Sequence, residues 1–365
     1  MIQTALGSIF YLVNDGRSLE GNDTTSNVNA VEKSPILCFH MSPRSSDEYL
    51  EVLPLLASGS SLIGDNDGNG ATINEPDDIG GRVVIAFDIP GYGASENPPH
   101  SCTIDEISDA FLMAADSIMS ETTVSGGGDE HESGGSSNRN YITVGSLLGN
   151  YFCVSLASRY PERIKAGILT NLWYNPAASE PSSSDFGGTD PAAATTTVIE
   201  DSFALKDDGS HLAELHSKRS GWLDPELNFR VVASEISYLA NRRIRYPMGI
   251  NIQGGNDYDF QVPVRKIIEM RRESSNAGAD SNFLCILGES CASLFDRFGL
   301  DGTNRFDEAC KLLIGESGED ATSNGSKNIV RVERLVGEKS TLNLVNQMPK
   351  EFAALCNNFL MERGL

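Results

Sequence analysis

A mostly parallel β-sheet with helices on both faces, a helical cap and low-complexity loop insertions is the α/β fold class that this chain predicts. Three observations predict it. Short apolar, β-branched runs recur along the 365 residues, stretches of helical period separate them, and segments rich in Gly, Ser, Asn and Asp interrupt the alternation. Buried strands that alternate with helices are joined by crossovers, which makes them parallel and shields both faces of the sheet.

The elements follow in order. The strand-like Ile9-Phe10-Tyr11-Leu12-Val13 opens the chain, and further strands are expected at 36–39, 83–87, 142–144, 168–169, 248–252 and 329–335. Helices are expected at 48–56, 104–119, 148–159, 264–272 and 348–361, where apolar residues recur at three- and four-residue spacing. From 173 to 245 the period turns helical without a strand, which predicts a cap between two parts of one core, 1–172 and 246–365. Insertions near 18–30, 58–81, 122–138, 177–197, 273–281 and 315–327 carry too little apolar surface to offset their ordering entropy and are expected to be disordered.

Within this frame Gly145-Ser146-Leu147-Leu148-Gly149 has the spacing of G-x-S-x-G, a nucleophile on a tight strand-to-helix turn. The turn needs small residues two before and two after its centre, and Gly145 and Gly149 supply them. The centre is Leu147, which has no lone pair with which to attack.

Five segments in order resemble the α/β-hydrolase family. Pro35-Ile36-Leu37-Cys38-Phe39-His40-Met41-Ser42-Pro43 is similar to the strand and His-Gly loop that supply an oxyanion-hole amide, with Met41 where glycine is common. Asp88-Ile89-Pro90-Gly91-Tyr92-Gly93-Ala94-Ser95 resembles D-x-P-G-x-G-x-S, and 144–163 resembles the elbow and its helix. Gln253-Gly254-Gly255-Asn256-Asp257 is similar to the G-x-x-D end of the acid strand, so the resemblance assigns Asp257 to the acid. Gln347-Met348-Pro349-Lys350-Glu351-Phe352 looks like the start of the last helix. The resemblance implies an α/β-hydrolase fold of AB hydrolase-1 type.

It also implies a catalytic triad, and two of its three roles are vacant. The five histidines are His40, His100, His131, His211 and His216, so none follows the acid strand. Counting back from Pro349 puts the family's histidine near 340–342, within Gly337-Glu338-Lys339-Ser340-Thr341-Leu342. Ser146 would become the nucleophile only if the turn slipped by one residue, which would remove a glycine from a crowded position. His40 in the oxyanion loop is the remaining candidate base, alongside a job in shaping that loop.

Metal and cofactor signals are lacking. His211 and His216 stand five apart and diverge around a helix. Asp65-Asn66-Asp67-Gly68-Asn69-Gly70 opens like a calcium loop, but Pro76 replaces the closing carboxylate. No cofactor and no metal are expected. The net charge of −23, from 51 acidic and 28 basic residues, argues against nucleic-acid or anionic-membrane partners. Seven cysteines without metal-ligand spacing read as reduced core residues. With no signal-peptide start and no run of about 18 apolar residues, the expected address is cytoplasmic.

The function these features predict is binding rather than serine-hydrolase chemistry. A small apolar ligand or a protein partner would sit under the cap against Met41, Leu147, Leu148, Trp173 and Tyr174. The alternative is a hydrolase or lyase-type enzyme of the same fold that uses a relocated site around Asp257 and His40.

Overall fold

A computed structural model describes residues 1–15, 33–42, 44–59, 61–63, 72–74, 81–100, 102–124, 139–172, 206–220, 233, 261–273, 282–297, 302–314 and 330–365. The strands are β1 (Ile2–Thr4), β2 (Gly7–Ile9), β3 (Tyr11–Asn14), β4 (Ile36–Phe39), β5 (Ser61–Ile63), β6 (Thr72–Asn74), β7 (Val84–Phe87), β8 (Tyr141–Ser146), β9 (Ile164–Thr170), β10 (Asn282–Gly288) and β11 (Val330–Leu335). The helices are α1 (Leu53–Ser58), α2 (Ile104–Val124), α3 (Gly149–Arg159), α4 (Ser210–Ser220), α5 (Gln261–Glu273), α6 (Glu289–Arg297), α7 (Gly302–Ile314), α8 (Leu344–Gln347) and α9 (Pro349–Glu362).

Seven strands form one sheet in the order β11-β10-β9-β8-β4-β7-β3. Only β3 runs antiparallel to its neighbour, β7, while the other five pairings are parallel. The central strands β4 and β7 are buried at every position, as a parallel sheet covered on both faces requires. Along β8 the alternation sorts side chains between two cores. Tyr141 faces the α2 and α3 side, and Ile142 and Val144 face the α1 and α9 side.

On the first side, aromatic rings bind helix to sheet. Phe111 of α2 lies 4.9 Å from Phe39, 5.1 Å from Phe87 and 5.4 Å from Phe152, centroid to centroid. The start of α2 was legible in Thr103-Ile104-Asp105-Glu106. The Thr103 hydroxyl accepts from the Glu106 amide at 3.2 Å, and the Glu106 carboxylate accepts from the Thr103 amide at 2.8 Å, a reciprocal cap.

Several expectations need correction. The strand between β9 and β11 is β10, which the sequence reading missed, and both of its edges are already paired. The strand expected at 248–252 lies outside the described residues. The 58–81 insertion contains an antiparallel pair, Ser61–Ile63 with Thr72–Asn74. Helix α2 runs on to Val124, into the expected 122–138 insertion. Most of the expected cap, 173–245, lies outside the described residues, which include α4.

Truncating the ring at the centre of the first core tests how much that cluster holds. Phe111→Ala should lower unfolding free energy by about 3–5 kcal/mol, read as a fall in the urea midpoint with unchanged slope.

Candidate active-site region

The turn from β8 into α3 has the geometry its glycines predict. Leu147 adopts φ 46°, a left-handed conformation that costs a non-glycine residue about 1–2 kcal/mol. A Cβ on Gly145 would stand 2.6 Å from the Asn150 nitrogen, and one on Gly149 would stand 2.0 Å from the Phe39 carbonyl oxygen. The Leu147 amide donates to the Thr170 carbonyl at 3.2 Å. Asn150 clamps the first turn of α3 to β9, its amide donating to the Thr170 oxygen at 2.9 Å and accepting from the Thr170 N–H at 3.0 Å.

This fixes the register. Ser146 is the last residue of β8, pairs with Thr170 and is fully buried, so the strained centre of the turn is Leu147 and not Ser146. Leu148 is half-buried and packs against the α2 and α3 core.

The loops after β10 and β11 meet the turn from the other side. Asn171, also left-handed at φ 50°, ties them together. Its side-chain amide donates to the carbonyls of Thr341 at 3.1 Å and Leu342 at 3.3 Å, and its oxygen accepts from the Gly288 N–H at 2.9 Å. The Cys291 amide donates to the Ser340 carbonyl at 3.0 Å, and a Cβ on Gly288 would lie 2.2 Å from that same oxygen. Gly288-Glu289-Ser290-Cys291 thus occupies the end of the strand beside β9, in the G-x-x-D frame with cysteine as the fourth residue.

The result is one apolar cluster in which Met41, Cys291 and Leu342 are buried and Leu147 packs against them. Burial pushes the Cys291 thiol far above its ordinary range, so it remains protonated.

His40 is fully buried and both its ring nitrogens are engaged. The Met41 carbonyl only accepts, so Nδ1 carries the proton and donates to it at 2.7 Å; the Ile89 N–H only donates, so Nε2 accepts at 3.0 Å. Desolvation, with a smaller push from the Arg44 guanidinium, lowers its pKa from 6.5 to about 4 despite the Met41 hydrogen bond. The ring fastens the loop after β4 to the loop after β7. The Asp88 carboxylate, also buried, accepts from the amides of Ser46 and Ala94 at 2.6 Å each, and a Cβ on Gly93 would collide with it at 1.9 Å. Met41 turns its own amide inward to the Glu48 carboxylate at 2.8 Å.

No protein-family model matches the sequence, and neither does any curated protein. Solved structures do match in three dimensions. A thermophilic esterase from Thermogutta terrifontis is 11% identical with a TM-score of 0.55 over 97% of this chain and 93% of its own. A bromoperoxidase from Bacillus anthracis is 16% identical, TM-score 0.54, over 97% and 95%. MenH from S. aureus is 13% identical, TM-score 0.53, over 97% and 99%. The chain has the α/β-hydrolase fold.

Of the residues singled out from the sequence, the α/β-hydrolase fold brings Met41 and Leu147 together and places Ser146 in the strand behind them. Asp257, Trp173 and Tyr174 lie outside the described residues. Cys291 was missed, although Phe283-Leu284-Cys285-Ile286-Leu287 between Asn282 and Gly288 is an apolar run of strand length. Among the described residues no three His, Cys, Asp or Glu side chains are grouped to hold a metal, and no helix is long and apolar enough to cross a membrane.

Two measurements test this geometry. Gly149→Ala should cost about 1–3 kcal/mol through the clash with Phe39, read by urea denaturation. Because His40 is depressed in the folded state, the unfolded chain alone takes up its proton between pH 6.5 and about 4. Its contribution is therefore complete above pH 6.5 and falls with acidification by about 1.4 kcal/mol per pH unit. A His40→Gln variant should show a shallower loss of stability across that window than the parent.

Proposed function

We propose that this is an α/β-hydrolase-fold protein without serine-hydrolase chemistry, which binds a small apolar ligand, or an apolar segment of a partner, at the head of its sheet. The observation that carries the reading is the convergence of Leu147, Cys291 and Leu342. We assign them the places of nucleophile, acid and base; Met41, Cys291 and Leu342 are buried in one apolar cluster and Leu147 packs against it. Leucine offers neither a nucleophile nor a base, and a protonated, buried thiol gives no charge to orient an imidazole. Loss of either nucleophile or base already removes most covalent catalysis, and losing all three leaves nothing for the others to assist.

The alternative site around His40 and Asp257 draws no support from the described geometry. His40 has no free nitrogen to accept a substrate proton, since one carries hydrogen toward Met41 and the other receives the Ile89 amide. Its depressed pKa fits a neutral structural ring.

An apolar head to the sheet suits an uncharged, hydrophobic occupant in the crevice at the carboxyl ends of the strands, where α/β folds bind their ligands. Leu148 and the segment containing Trp173 and Tyr174 are proposed as its further walls.

Rebuilding the triad tests the assignment. Leu147→Ser, Cys291→Asp and Leu342→His together should raise p-nitrophenyl acetate hydrolysis above the parent's background, whereas Leu147→Ser with Leu342→His alone should not. Equal activity in the double and triple variants would take the acid role away from position 291. For binding, Nile red fluorescence should report uptake by the parent and a roughly tenfold weaker Kd, about 1.4 kcal/mol, in Leu147→Asp. Equal uptake in both would move the ligand elsewhere.

A further inference from the structure

The geometry points to a two-fold dimer in which β11 pairs antiparallel with β11 of a second copy of this chain, extending the sheet across both molecules. Among the described residues β11 is the sheet's terminal strand, bonded to β10 along one edge only. It is also a strand with no fully buried position. Val332 at its centre is 40% exposed and Val336 just beyond it is 65% exposed. An exposed edge that carries apolar residues is a template for pairing.

The sequence of β11 then selects both the occupant and the register. Pairing to β10 places Val330, Val332 and Arg334 on the α7 side, where Arg334 meets Asp307 at 2.7 Å. Arg331 and Glu333 lie on the α9 side, bonded to each other at 2.6 Å, and Arg331 meets Glu362 at 2.8 Å. Residues directly opposite in an antiparallel pair share a face. A two-fold axis normal to the sheet keeps every side chain on its own face, so it must fall at a residue position, with that residue opposite its own equivalent.

Among dyads through a residue, the one through Val332 is favoured by charge. It sets Arg331 opposite Glu333 of the other copy, twice, on the α9 side. On the α7 side Val332 meets its own equivalent, and the aliphatic stem of each Arg334 covers the opposing Val330. A dyad through Arg331 would oppose two arginines, one through Glu333 two glutamates, and one through Arg334 two arginines again. Like charges directly opposite are destabilising. On a chain of net charge −23, β11 offers two arginines to one carboxylate, so the edge is locally spared the repulsion that opposes association elsewhere.

The test is sedimentation equilibrium on the full chain, with two sets of variants. The parent should sediment as a dimer. Glu333→Arg should be monomeric, because it places arginine against Arg331 of the other copy, and the exchange Arg331→Glu with Glu333→Arg should restore the dimer. Since the single variant also breaks the pair within the chain, circular dichroism must show it folded, and an independent readout is Val332→Cys. The seven native cysteines are buried, so mild oxidation with oxidised glutathione should link two Val332→Cys chains through position 332, each disulfide forming as glutathione disulfide is reduced to two thiols. A monomeric parent, a dimer indifferent to Glu333→Arg, or a folded Val332→Cys protein that does not cross-link would each overturn the proposal.

Discussion

Everything at the head of the sheet hangs on the approach of Gly149 to the Phe39 carbonyl, where a Cβ would stand 2.0 Å from the oxygen. That contact lets α3 start directly above the sheet, and it forces the chain to reverse within one residue. The reversal falls on Leu147, which accepts a left-handed backbone because Asn150 and the Thr170 carbonyl hold the turn from both sides. Strain at such a position is ordinarily tied to function, since it projects one side chain above the strands. Here the projected side chain is apolar. The turn has kept its form, and with it the cost of a left-handed leucine.

What Leu147 meets explains how that cost is offset. Cys291 arrives from the first turn of α6 and Leu342 from the loop that Asn171 ties to the end of β10, and Met41 arrives from the loop that His40 and Asp88 hold in place. Four side chains from the carboxyl ends of four strands meet there, three of them buried and Leu147 half-buried. Full burial of a leucine side chain stabilises by about 1.5–3 kcal/mol, and the half-buried Leu147 gains part of that against the strain at the turn. In the proposed reading an apolar contact stands where a nucleophile and its base would be, and His40 holds the loop that carries Met41.

Much of this was legible in the sequence, and the reasons differ from residue to residue. Gly145 and Gly149 announce the turn because no other residue fits beside Asn150 and Phe39. Asp88 with Gly93 announces the next loop, because the carboxylate fills the space where a side chain on Gly93 would go. Leu342 was within reach by counting back from Pro349, since the helix start fixes the distance. Cys291 was not, because the motif that marks such a strand end is defined by an aspartate it lacks. Only strand pairing, with β10 hydrogen-bonded on both edges, identifies which strand end faces Leu147. The left-handed backbone of Asn171 was equally silent, as its role lies in carbonyls more than a hundred residues away.

Methyl NMR measures directly the apolar contact of Leu147 with Leu342 and Met41. With leucine and methionine methyls labelled and assigned by Leu147→Ala and Leu342→Ala, nuclear Overhauser effects are expected from Leu147 to both Leu342 and Met41. Leu147 methyls that show neither, and that are instead broadened by a soluble paramagnetic agent, would contradict it.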